Sequence, residues 1–185
     1  MIYPAMTSPS PYEDRVAGIL RELGIAASYG TDRKMPLFRE AEELVSIGLD
    51  IYGREQKLAL GAAVSWHALQ TAAARDGVSL LLVSAFRSLD YQKQIIQRKL
   101  AAGESLEQIL RVQAAPGYSE HHTGRAVDLT VAGCPPLSEE FERTPAFAWL
   151  VAHAGNFGFA LTYPRGNRHG IIYEPWHWAA AEAAI

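Results

Sequence analysis

Pro116-Gly-Tyr-Ser-Glu-His-His-Thr-Gly-Arg-Ala-Val-Asp-Leu-Thr-Val131 passes from a turn-rich half into an alternating, β-rich half. Ala126 to Val131 therefore reads as a strand, and the residues before it as an irregular turn. Gly117 and Gly124 fit such a turn because glycine enters positive φ cheaply. Upstream, Tyr12 to Leu23 places Val16, Ile19, Leu20 and Leu23 on one helical face, with Gly24 as a stop. Thr31 to Pro36 is turn-like, and Leu44 to Ile51 fits a strand or a helix equally well. Lys57 to Arg75 is the clearest helix, with Leu60, Val64, His67 and Ala68 on a shared face and Asp76-Gly77 closing it. Val78 to Ser84 reads as a buried strand, and Leu89 to Ala102 and Ser105 to Val112 as helices. Downstream, Thr144 to Phe157 contains a helix, and Phe159 to Tyr163 and Gly170 to Glu174 look like two further strands. Helices first and strands later predict an α+β fold rather than a doubly wound parallel sheet.

The bulk numbers remove several function classes. The 185 residues carry 49% hydrophobic and 20% charged side chains, ordinary for a globular protein. A net charge of −3 gives no electrostatic reason to expect nucleic acid or an anionic membrane surface as partner. No stretch reaches the roughly 20 apolar residues of a membrane span. The single cysteine, Cys134, excludes an internal disulfide and a cysteine-rich zinc cluster. Met1 to Met6 lacks the basic and apolar regions of a secretory signal, so the expected compartment is the cytoplasm, or an exported one if a signal has been removed. Residues 1–11 are expected to form a loose arm. The chain is divided into an N-terminal arm and helical extension, 1–50, and a main domain, 51–185.

Two segments carry chemistry: Ser119 to Asp128, and Tyr173-Glu-Pro-Trp-His177. A catalytic zinc takes three ligands from His, Asp and Glu and keeps a fourth position open. His121, Asp128 and His177 satisfy that count without a cysteine. Pro175 argues against a helix bearing both Glu174 and His177, which places Glu174 at the end of a strand. A carboxylate beside a zinc-bound water can take its proton and later deliver it to a leaving amine. The helix-borne H-E-x-x-H motif is absent. Spacing alone thus leaves a zinc hydrolase and an ordinary set of polar residues both open.

Ser119-x-His121-x-x-Gly124-x-Ala126-x-Asp128 followed by Glu174-x-Trp176-His177 resembles the zinc peptidases of the VanY-like D-alanyl-D-alanine carboxypeptidase family, which is grouped with D,D-dipeptidases and the Hedgehog signalling domain. Val83-Ser-Ala-Phe-Arg87-Ser-Leu-Asp-Tyr91-Gln92 is similar to the same family's arginine segment. The resemblance covers roughly residues 55–178 and implies a single domain with a small antiparallel sheet flanked by helices. It implies Zn2+ held by His121, Asp128 and His177, with Glu174 as general base and then acid. His121, rather than the adjoining His122, is the ligand by family spacing. Arg87 would bind the terminal carboxylate or stabilise the oxyanion, with Ser119 nearby and Gln92 contacting the peptide. The implied activity is release of C-terminal D-alanine from peptidoglycan stem peptides or muropeptides, as an L,D- or a D,D-carboxypeptidase. The chain departs from the pattern at Trp178-Ala179-Ala180, where many relatives carry an arginine. The competing readings are a stem endopeptidase of the phage-lysin kind and a non-catalytic zinc-stabilised binding module. Arg87 paired with Asp90, and Trp176 and Trp178 in the core, are the ordinary structural alternatives.

Overall fold

Ser10 opens α1 (Pro11–Glu22): its hydroxyl accepts the Glu13 N–H while the Glu13 carboxylate accepts the Ser10 N–H at 2.8 Å. That reciprocal cap, with proline at the first helical position, satisfies donors the helix cannot bond internally. The computed structural model describes residues 10–181, so most of the arm expected at 1–11 lies outside the described residues. After α1 come α2 (Tyr29–Asp32), β1 (Val45–Leu49), β2 (Glu55–Leu58), α3 (Leu60–Arg75), β3 (Leu81–Ser84), α4 (Leu89–Ala101) and α5 (Leu106–Val112). The chain continues through β4 (Ala126–Thr130), α6 (Pro145–His153), β5 (Phe159–Leu161) and β6 (His177–Ala180). Leu44 to Ile51 resolves as a strand, paired with β2 in an antiparallel hairpin. The division expected at 50/51 falls inside that hairpin.

An antiparallel sheet in the order β3-β4-β6-β5 organises the molecule. The fold is therefore α+β. Every residue of β4 is buried, and strand alternation sends its two faces to different tasks. Val127 and Leu129 enter a core with Trp66 and Leu69 of α3, Leu150 of α6, Phe159 and Trp178. Asp128 faces the other way. A second core joins Val16, Ile19 and Leu20 of α1 to Leu89 and Ile96 of α4 and Ile109 of α5.

Two expectations are corrected. In α3 the face expected to pack is the outer one: Leu60 and Val64 are 62% and 63% exposed, while Ala62, Ala63, Trp66, Leu69 and Ala73 are buried. Burial of the indole decides the rotation, because a Trp removes more apolar surface from water than Leu or Val, and the alanines let the helix approach closely. Gly170 to Glu174 is not a strand. Its N–H groups are spent singly, Ile172 on the Arg111 carbonyl and Glu174 on the Tyr163 carbonyl, and Pro175 has none to give. Glu174 accordingly lies on the loop entering β6, and His177 is the first strand residue.

Candidate active site

Strand register assembles the floor of the site. Asp128 pairs with His177 across β4 and β6 and with Ser84 across β3 and β4. Their side chains share the sheet face opposite the Trp66 core. His121 arrives from a 3-10 turn, Glu120–Thr123, closed by Gly124 at φ 63°. A Cβ at Gly124 would sit 2.8 Å from the Ala59 backbone nitrogen, so this tight seat accepts only glycine without a shift.

One donor atom each from His121, Asp128 and His177 lies within 4.8 Å of the other two, and all three residues are buried. The His121 Nδ1–H donates to the Ala85 carbonyl at 2.5 Å, which leaves the Nε2 lone pair facing the cluster. Nε2 lies 3.2 Å from Asp128 Oδ2, close but off line, and has no hydrogen-bond partner. An orphaned buried nitrogen beside a carboxylate is what a ligand atom looks like before its ion is added. His177 holds Nδ1 3.0 Å from Asp128 Oδ1 and Nε2 2.8 Å from Glu120 Oε2. With Nε2–H given to Glu120, Nδ1 faces the same cluster. Two imidazoles and a carboxylate without thiolates suit Zn2+, so the residues fit the ion.

The electrostatics follow from burial and neighbours. Burial first, then the Arg87 charge, pushes His121 down to about 4, keeping it a neutral donor. For Asp128 burial opposes ionisation, but His121, His177 and Arg87 outweigh it and hold the carboxyl well below the usual range. His177 moves upward: burial works against its charge, and the hydrogen bonds to Asp128 and Glu120 overcome it. Glu174 is pushed up to about 7, chiefly by burial, with Asp128 and Glu120 adding to the rise and His177 and Arg87 opposing it.

Around the cluster runs a cleft of about 510 Å3 that is also lined by Glu174, Arg87, Ser119, Gln92, Tyr163 and Trp176. Arg87 pairs with Asp128 at 3.4 Å, whereas Asp90 pairs with Arg15. Its Nη1 donates to Gln92 Oε1 and Gln113 Oε1, while its buried Nε has no partner. The Gln92 amide is committed to Arg87 and to the Ala114 carbonyl, so it braces the arginine. His122 uses both nitrogens locally, Nδ1 on the Arg87 carbonyl and Nε2 as acceptor for the Gly117 N–H. No lone pair is left there for a metal. Trp176 and Trp178 both join the core, and Trp176 also lines the cleft.

Glu120 has a part that the sequence reading missed. Its carboxylate orients His177 and is itself held by the Thr162 hydroxyl at 2.6 Å. Its place beside His121 carries no signal of this task, because His121 gives its N–H to Ala85 and the imidazole that Glu120 serves lies 57 positions on.

The family described as D-alanyl-D-alanine carboxypeptidase, VanY, matches residues 55–181, more than half of the chain. The chain belongs to the VanY family. Among relatives, a putative carboxypeptidase YodJ of Bacillus subtilis is 37% identical over 111 residues, 57% of this chain and 40% of that protein. A D-alanyl-D-alanine carboxypeptidase of Enterococcus faecalis is 31% identical over 117 residues, 58% of this chain and 42% of the relative. The chain thus spans about two-fifths of the length of these VanY-family relatives. A solved LD-carboxypeptidase, LdcB, superposes with a TM-score of 0.68 at 29% identity, covering 78% of this chain and 71% of that one. A VanY D,D-pentapeptidase in complex with Zn(II) gives 0.62 at 27% identity, covering 80% and 84%. Among the described residues no helix is long and apolar enough to cross a membrane.

Proposed function

We propose that this VanY-family chain is a zinc-dependent carboxypeptidase releasing C-terminal D-alanine from peptidoglycan stem peptides. The observation that carries the reading is one cleft holding three things together: a three-donor metal site, a buried carboxylate at Glu174, and an arginine with an unpaired buried N–H. His121, Asp128 and His177 would hold zinc, which would supply Lewis acidity toward the scissile carbonyl and lower the pKa of water to about 7.

The chain's own residues do the rest. Glu174 takes a proton from the attacking water and passes it to the leaving amine, which departs as the amino group of D-alanine. Burial raises the Glu174 carboxyl toward neutrality in the metal-free cleft, the direction that suits a group which must both accept and return a proton. Arg87, braced by Gln92 and Gln113, offers Nε to the terminal carboxylate. An unmet buried donor costs about 1–3 kcal/mol, which a bound carboxylate recovers. Ser119, 3% exposed on the cleft wall, lies among the groups that line the substrate. A binding module has no need of a proton-transferring carboxylate beside the metal site, so Glu174 favours catalysis over that alternative. L,D- and D,D-acting relatives share the scaffold, and the reading covers terminal D-alanine on either kind of penultimate residue.

Arg87 makes the reading testable against an endopeptidase. A stem peptide with a free C-terminus should release D-alanine, and its C-terminal amide should be cut at least about 100-fold more slowly, because the amide leaves the arginine unpaired. Equal cleavage of the two, followed by mass spectrometry, would replace the carboxypeptidase with the endopeptidase.

A further inference from the structure

The hairpin β1–β2 ends in a buried polar chain that reaches the metal cluster. Asp50, 7% exposed, follows β1 and accepts the N–H of Tyr52, the N–H and Nε–H of Arg54, and the Nε2–H of Gln56 at 2.8 Å. Gln56 in β2 then accepts the Ala85 N–H on Oε1 at 2.8 Å. The carbonyl of Ala85 is the acceptor for His121 Nδ1–H. The donors in this chain all point toward Asp50, and Ala85 is fully buried.

We infer that Gln56, anchored by Asp50, is a positioning residue for the metal ligand His121, acting by fixing the backbone at Ala85. A histidine ligand commonly gives its second N–H to a carboxylate or a carbonyl, which fixes the tautomer and strengthens the nitrogen on the metal. Here a carbonyl takes the N–H, and a carboxylate stands two hydrogen bonds behind it. Gln56 holds the Ala85 N–H and the Lys57 carbonyl holds the Phe86 N–H, so the peptide groups on both sides of Ala85 are fixed and its carbonyl is kept in place for His121. The backbone offers no substitute. The neighbouring β2 carbonyl, that of Lys57, already accepts the Phe86 N–H, so the side chain of Gln56 fills the gap.

The same peptide run also sets the substrate arginine. Arg87 N–H donates to the His121 carbonyl, and the Arg87 carbonyl accepts His122 Nδ1–H. Segment 85–87 thus has its polar groups pinned on both sides, by the hairpin and by the His121–His122 turn. Gln56 ties the hairpin to that run at the point nearest His121.

The test is zinc affinity by competition with a chromophoric chelator, measured on the whole chain. Gln56→Met fills the space but removes the acceptor, and should weaken zinc binding about tenfold. Asp50→Asn keeps the shape and removes the charge; it should weaken zinc by about threefold, and it gives the same reading if the Met variant does not fold. Ile47→Ala, in the buried face of β1, is the control for a merely destabilised hairpin: it should lower the melting temperature and leave zinc affinity unchanged. Zinc affinities of Gln56→Met and Asp50→Asn within twofold of wild type would overturn this positioning role alone. A wild type that binds no zinc would overturn the metal centre with it.

Discussion

Glu174→Gln is expected to lower kcat for D-alanine release by about 10³-fold, within the range general acid–base groups contribute, while the bound zinc stays near one per chain. The amide preserves the side chain's shape but can neither accept the water's proton nor return one to the amine. Zinc is retained because the three donors His121, Asp128 and His177 are untouched. The same change should stabilise the metal-free protein above neutral pH. Burial raises the Glu174 pKa above its unfolded value, so its favourable contribution is complete below about 4.5 and is lost as pH rises through about 7. At pH 8 the wild type carries a buried charge that His177 and Arg87 only partly offset, and the glutamine variant should melt several degrees higher; at pH 4 the two should coincide. Turnover within tenfold of wild type would remove Glu174 from the mechanism.

Asp128→Asn is the second large effect. Asp128 holds both imidazoles and the guanidinium at once: His121 Nε2 at 3.2 Å, His177 Nδ1 at 3.0 Å and Arg87 Nη2 at 3.4 Å. Losing its charge removes a metal donor and leaves a buried arginine without its counter-ion, and breaking such a pair costs on the order of 3–5 kcal/mol. Zinc affinity should fall by at least about 100-fold, beyond the 10–100-fold attached to groups behind the ligands, and the melting temperature should drop. A variant that keeps wild-type zinc affinity would place the ion elsewhere.

Much of this site can be read from two short segments because its geometry is local. Alternation along β4 puts Asp128 on the face opposite Val127 and Leu129, and Gly124 ends the turn that presents His121. Residues at contacts distant in sequence were not legible. Gln56 carries no motif, and its meaning appears only when the hairpin is laid beside Ala85. Glu120 sat inside the motif but acquires its task from His177, 57 positions on. In α3 Leu60 and Val64 resemble a core face, and only the sheet's position shows that Trp66 sets the rotation. Gly170 to Glu174 is rich in β-branched and aromatic residues like a strand, but no neighbouring strand takes its hydrogen bonds.

The most direct test of the account is D-alanine release from a muramyl tetrapeptide and the matching pentapeptide, followed by mass with and without a zinc chelator. Release from at least one is expected, abolished by the chelator and restored by added zinc; release from the tetrapeptide alone marks an L,D-enzyme, and from the pentapeptide alone a D,D-enzyme. Release that survives complete removal of zinc, or no release from either peptide by the zinc-loaded protein, would contradict it.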